Sequence, residues 1–364
     1  MLGGWLKRVF SGNSGNSAVS ERPEGVATGP ALPSAPSAPE GYSDAATPIS
    51  SSDQTQLEQA MQSNSAGWWT PREEGVLTPG SATQGLRAID ADLYGELGKV
   101  LDEPDIELPQ LPDVAQNVLR LLEKRDVNFV EAAKAAERDP VLTAEILRVV
   151  NSAAFRALQR VQRLQQAFPR LGVRRVRAIV VSATMKSIVI RPGSGSQTVG
   201  TQLWRCASAS AAICSETAQR VGVPEDDAYL AGLLHDIGMM VLLRVLHDYQ
   251  TKTGKKLTRP IFAAVAERWH EHLGLRLAEA WHLPDPLPDL VASHHKLPAP
   301  GDPLEKQKLI VMFSDVVCSM LEYSPYVPYD FFNLPCVQRL GFRESPDTLE
   351  WLESLPTTIA RRLL

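Results

Sequence analysis

Leu230-Ala-Gly-Leu-Leu-His-Asp-Ile-Gly-Met-Met-Val-Leu-Leu243 is the stretch whose reading decides the fold. It is apolar enough for a core helix, yet His235 and Asp236 stand side by side where a purely structural helix would carry more leucine. A charged carboxylate inside such a run is costly to bury unless it is paired or bound to a metal. The stretch is therefore expected to be a buried helix with a polar centre built into it.

Outward from it, the chain is helical in pattern throughout. Upstream, Leu86, Ile89, Leu93, Leu97 and Val100 recur at helical spacing and predict a lead-in helix within residues 86–104. Val114, Val118, Leu121 and Leu122 mark an amphipathic helix behind Pro109 and Pro112. Asn128 with Glu131 forms a capping box, and Asp139-Pro140 supplies an N-cap followed by a first-turn proline. Periodicity resumes from Val173 to Ile190 and from Leu203 to Val221, separated by a Pro192-Gly-Ser-Gly-Ser196 connector; Pro169 is expected to kink the segment before them. Downstream, helices are expected over residues 261–281, 287–295, 304–321 and 348–363, with 323–337 a proline-rich loop. No segment alternates as a strand should. The fold class expected is all-α, a helical bundle.

Composition sets the surroundings. With 364 residues and 44% hydrophobic content a sizeable core is available, while a net charge of −5 removes non-specific DNA binding as the default. The region from Ser11 to Ser50 is dominated by Gly, Pro, Ser, Ala and Thr, which cannot bury enough apolar surface to offset chain entropy, so residues 1–85 are expected to be a disordered leader. Four cysteines without a CxxC pair point to a reducing cytoplasm. No signal peptide is evident, and no apolar run is expected to reach the roughly 18 residues that span a bilayer.

One local charge excess stands out. Arg156, Arg160, Arg163, Arg170, Arg174, Arg175 and Arg177 fall in a window free of Asp and Glu, a surface that would attract phosphates or an acidic protein face unless acids from elsewhere neutralise it. No helix-turn-helix or finger accompanies it, so DNA is not an expected partner. RNA binding on this face is the weakest of the functional alternatives.

Five motifs in order, Leu108-Pro-Gln-Leu-Pro112, Asp139-Pro-Val-Leu142 leading to Leu147-Arg-Val-Val-Asn-Ser152, Leu171-Gly-Val-Arg-Arg-Val-Arg177, Leu203-Trp-Arg-Cys206 and Ala231-Gly-Leu-Leu-His-Asp-Ile-Gly238, together resemble the HDOD family. The resemblance covers residues 105–300 and leaves residues 301–364 as a C-terminal helical extension packed on that domain. It implies an all-helical module of bacterial signalling, related to HD-type metal-dependent phosphohydrolases. Fold kinship does not carry activity with it.

In those hydrolases the ligand order is an early His, the His-Asp doublet, later histidines and a distant Asp. The resemblance sets these on Cys206, on His235 and Asp236, on His270, on the pair His294 and His295, and on Asp315. Imidazoles with carboxylates suit iron, manganese or zinc, and such an ion makes hydroxide available near neutral pH. Two departures weigh against turnover. Cys206 replaces an imidazole with a softer thiol, and Met239 stands where the active relatives carry Lys. The bland alternatives are a relic core pair for His235 and Asp236, a surface position for His270, and a helix C-cap for His294 and His295.

The expected function is thus a non-catalytic cytoplasmic signalling protein whose HDOD-like domain binds another signalling protein or senses a ligand. The competing expectation is a metal-dependent phosphohydrolase acting on a nucleotide, with Asp236 bridging metals and Lys296 or the arginines holding phosphate.

Overall fold

The computed structural model describes residues 88–152, 160–189, 197–321 and 330–363. The expected leader at 1–85, the connector at 192–196 and Arg156 lie outside them. Every element of the described residues is helical. In chain order these are α1 (Ala88–Leu101), α2 (Asp113–Leu122), α3 (Phe129–Ala136), α4 (Pro140–Val150), α5 (Leu164–Val189), α6 (Gln197–Val221), α7 (Glu225–Leu234), α8 (Gly238–Thr253), α9 (Arg259–Ala280), α10 (Leu287–Ser293), α11 (Glu305–Met320), α12 (Pro335–Arg339) and α13 (Pro346–Leu363).

The local signals act as their chemistry predicts. Asn128 Oδ1 accepts from the amides of Val130 and Glu131, and Asp139 Oδ1 from those of Val141 and Leu142, so the first turns of α3 and α4 have their open donors met. These caps set the short α2–α4 helices, whose apolar faces, including Val118, Leu122, Ala132 and Ile146, enter one core with α5. On the other side of that core α7 packs against α6 and α5, and α9 packs against α8, α10 and α1. A second apolar cluster joins α6 and α11 to the C-terminal helices; in it Phe313 stacks on Trp351 with ring centroids 5.8 Å apart.

Four expectations need correction. The central stretch is not one continuous helix. Hydrogen bonding tightens to i→i−3 at Ile237, Met239 and Met240, closing α7 at Leu234 and opening α8 at Gly238, so His235 and Asp236 occupy a tight joint between two core helices. Pro169 does not break α5. The interruption falls three residues later at Gly172, whose φ of 76° is left-handed backbone that glycine adopts without strain.

The expected loop at 323–337 contains a 3₁₀ turn at Phe331–Asn333 and the helix α12, because Phe331, Cys336 and Val337 are drawn into the second cluster. Finally, Glu225–Thr253, taken across the joint, is long and apolar enough to cross a membrane, contrary to the length expectation; 72% of its most apolar window is buried inside the fold, as core helices are.

Candidate metal centre

The joint between α7 and α8 is the floor of the site. Gly238 makes it possible for this joint to reach α9: a Cβ there would lie 1.9 Å from the His270 carbonyl oxygen and 2.5 Å from the Gly274 amide nitrogen. Only glycine permits that approach, and it places Asp236 against His270. α10 delivers His294 at its C-terminal end with His295 directly after, and α11 delivers Asp315 from a mainly apolar helix.

Six side chains converge. Asp236 Oδ1 lies 3.4 Å from His294 Nε2 and 3.6 Å from His270 Nε2, while its Oδ2 lies 3.3 Å from His235 Nε2. Asp315 Oδ1 is 2.9 Å from His235 Nε2, and its Oδ2 is 3.7 Å from His295 Nδ1. Two donor sets result, each with ligand atoms within 4.8 Å of one another: Asp236, His270, His294 and His295 in one, His235, Asp236 and Asp315 in the other. Asp236 belongs to both.

The histidines are aimed by backbone. His235 Nδ1 bonds the Gly232 carbonyl at 2.8 Å, His270 Nδ1 that of Ala266 at 2.6 Å, and His294 Nδ1 that of Val291 at 2.8 Å. A carbonyl only accepts, so each Nδ1 carries a proton and each Nε2 is turned inward, where it offers a lone pair whenever the ring is neutral. His270 and His294 face each other with Nε2 atoms 3.2 Å apart, and His295 Nε2 lies 3.0 Å from His270 Nε2. Asp236 Oδ1 and Asp315 Oδ2 are buried without a hydrogen bond. Inward lone pairs and orphaned carboxylate oxygens are what a divalent cation would satisfy, so the residues fit a metal.

Electrostatics divide the histidines. Burial alone would lower the pKa of His235, but the Asp236 and Asp315 carboxylates outweigh it and hold the imidazole well above its usual range. Burial would raise Asp236; His235, and then His294 and His270, overcome it and hold the carboxyl well below the usual carboxylate value. His270 and His295 are pushed down, first by burial and further by the neighbouring imidazoles. Without metal, the carboxylates favour the charged form of His235, while burial favours the neutral forms of His270 and His295.

The bland alternatives fare differently residue by residue. His270 is 5% exposed, so it is not a surface histidine. His294 does cap α10, and the bond that caps it also aims its Nε2. Cys206 is half-buried on α6, where Gln202 Nε2 approaches its sulfur at 3.7 Å, and it is absent from both donor sets. Burial and the Asp236 charge push its thiol up to about 12, the neutral form at physiological pH. Met239 is buried and brings no cation to the centre.

Glu271 was not legible as a partner. Its Oε1 accepts the His295 amide at 3.2 Å and lies 3.9 Å from His294 Nδ1. In the sequence it is one acid among several on α9; only its adjacency to His270 hinted at it.

The arginine segment does not join the centre. Arg174 pairs with Asp227 at 3.3 Å, and Arg175 with Asp226 at 2.5 Å and Glu225 at 3.7 Å, all three acids in the first turn of α7. Arg160, Arg163 and Arg170 are exposed and Arg177 is half-buried.

Comparison with known proteins agrees with this fold. The chain is similar to a structure from Shewanella amazonensis named provisionally as a metal-dependent phosphohydrolase, with TM-score 0.61 and 20% identity over 76% of this chain and 100% of that one. It is also similar to an HDOD domain protein of unknown function from Geobacter sulfurreducens, with TM-score 0.54 and 23% identity over 76% of this chain and 97% of that one. A Marinobacter aquaeolei structure named provisionally as a signal transduction protein gives TM-score 0.51 and 18% identity over 86% of this chain and 66% of that one.

At these identities the likeness shows the fold. An uncharacterized protein of Treponema pallidum is 25% identical over 256 residues, 67% of this chain, and the match spans 49% of that relative's length. The family model for the HDOD domain matches residues 108–297, just over half of the chain, and this protein belongs to the HDOD domain family.

Proposed function

We propose that this protein is a signalling module whose HDOD domain is organised on a divalent-metal centre and works by recognition of another protein or a ligand. The observation that carries the metal reading is the convergence of His235, His270, His294, His295 and Asp315 on Asp236, with three imidazoles locked by backbone carbonyls so that their Nε2 atoms point inward. His270, His294, His295 and Asp236 would hold one ion, and His235, Asp315 and Asp236 a second. When bound, such ions supply Lewis acidity and lower the pKa of nearby water.

Support for recognition over turnover comes from Cys206, which stands outside both donor sets, and from Met239, an apolar side chain where active relatives place a cation. The absence of a disulfide among the four cysteines supports a cytoplasmic location. Metal analysis of protein purified without chelator tests the reading, with Asp236→Asn as the control. Stoichiometric iron, manganese or zinc in the wild type and none in the variant is the expected result; no metal in either would refute it.

A second reading, hydrolysis of a phosphoester such as a nucleotide, is favoured by one feature: Asp236 is 25% exposed and His295 32% exposed, so the centre opens to solvent at its bridging carboxylate. A nucleotide panel with added manganese separates the two. Release of phosphate by the wild type but not by Asp236→Asn would establish turnover and overturn the recognition reading.

A further inference from the structure

The two donor sets are unequal. One offers three imidazoles and the shared carboxylate, four protein ligands in all; the other offers one imidazole and two carboxylates, three ligands in all. Cys206 explains the shortfall. It occupies the position the family gives to a further imidazole, but a sulfur stands one bond from Cβ where an imidazole Nε2 stands three bonds away. The shortened side chain stays on α6 against Gln202. Two members of the three-ligand set keep some solvent exposure, Asp236 a quarter and Asp315 13%.

Four fixed ligands close a tetrahedral shell, whereas three leave a position for water or an incoming oxyanion. The sets also differ in hardness. Three nitrogens with one oxygen suit zinc or iron; one nitrogen with two oxygens shifts preference toward manganese or magnesium. We propose that the centre fills in two steps: a tight first ion held by Asp236, His270, His294 and His295, and a labile second ion held by His235, Asp236 and Asp315, whose occupancy follows the free concentration of a hard divalent cation. The second site is then the regulated one. Loading it places a divalent charge beside the quarter-exposed Asp236, which alters the surface presented to a partner or oxyanion.

The inference rests on the metal reading above, and its test keeps the two separable. Full-length protein is stripped with chelator and titrated with manganese(II) alone, with bound and free ion distinguished by electron paramagnetic resonance and helix content followed by circular dichroism. Two classes of site are expected, differing at least about tenfold in dissociation constant. Asp315→Asn should abolish the weaker class and leave the tighter one, and His295→Ala should do the converse. Cys206→His, which restores the longer reach, should tighten the weaker class about tenfold or more, while Cys206→Ser should leave it unchanged. Two equivalent sites in the wild type, or a Cys206→His protein that titrates as the wild type does, would overturn the two-step filling while leaving the metal centre standing. No binding in any protein of the series would overturn both.

Discussion

The histidine and carboxylate centre and the arginine segment are two polar concentrations of opposite kind. The arginines from 160 to 177 are clustered in sequence, and where their partners are visible they are spent on ion pairs: Arg174 and Arg175 face Glu225, Asp226 and Asp227 at the start of α7, where acids also suit the helix dipole. The six ligand candidates are scattered over 80 residues and four elements, yet they meet at one carboxylate. Charges adjacent along the chain repel and find separate neighbours. Groups brought from different helices into a desolvated point are there because something satisfies them together. Convergence across elements is the better sign of chemistry, and density along the sequence the poorer one.

The contrast can be broken most forcefully at its centre. Asp236→Asn should cost metal affinity by more than the roughly 100-fold that loss of an outer-shell partner costs, because it removes a ligand from both donor sets; equilibrium dialysis against a metal buffer reads this directly. Gly238→Ala forces a Cβ into the His270 carbonyl, so α8 and α9 must part. A stability loss of about 2–3 kcal/mol is expected in urea unfolding, with weakened metal binding alongside. Glu271→Ala removes the acceptor of the His295 amide and should weaken metal binding by about tenfold with little change in fold, seen in the same dialysis.

Acidity sharpens the comparison from another side. In chelated protein His270 and His295 are held neutral below their usual pKa, so the unfolded chain takes up protons that the native state refuses once pH falls below about 6.5. Stability is therefore lost on acidification, with a slope approaching two protons. His235 acts in the opposite sense. Its raised native pKa contributes stability that is fully present below about 6.5 and is lost as pH rises through the native value. Thermal melts of chelated protein should show a maximum near neutrality, and saturating metal, which displaces the proton from His235, should remove the alkaline limb. The smallest effect belongs to the arginine segment: Arg175→Ala, in a partly exposed pair, should cost at most about 1 kcal/mol and leave metal content unchanged. A loss of metal in that variant would mean the two regions are coupled after all.

Much of the fold was legible because its signals are local. Asn128 and Asp139 cap α3 and α4 with side-chain oxygens whose reach is two to three residues, so sequence alone carries the information. The break at His235–Ile237 was hidden because leucine and methionine continue at helical density on both sides, and an i→i−3 tightening leaves no mark in periodicity. Gly172 was overlooked for Pro169, because proline is the stronger helix breaker by residue type, whereas the left-handed φ of 76° at Gly172 shows only in the backbone.

At the site, residue types in family order named seven ligand candidates, of which all but Cys206 converge, and the apolar run around His235 and Asp236 foretold their burial, but that of His270 was not readable. His270 lies among Glu267, Arg268 and Glu271, a neighbourhood that resembles a solvated face until α10 covers it. The carbonyls of Gly232, Ala266 and Val291 that fix the rings carry no sequence signature at all.

The most direct measurement of the central claim is the metal-to-protein ratio of the full chain, isolated without chelator and read by inductively coupled plasma mass spectrometry beside Asp236→Asn prepared identically. The account predicts at least one equivalent of iron, manganese or zinc in the wild type and only background in the variant. Background metal in both, with both folded, would contradict it and leave the convergence on Asp236 as a hydrogen-bonded core alone.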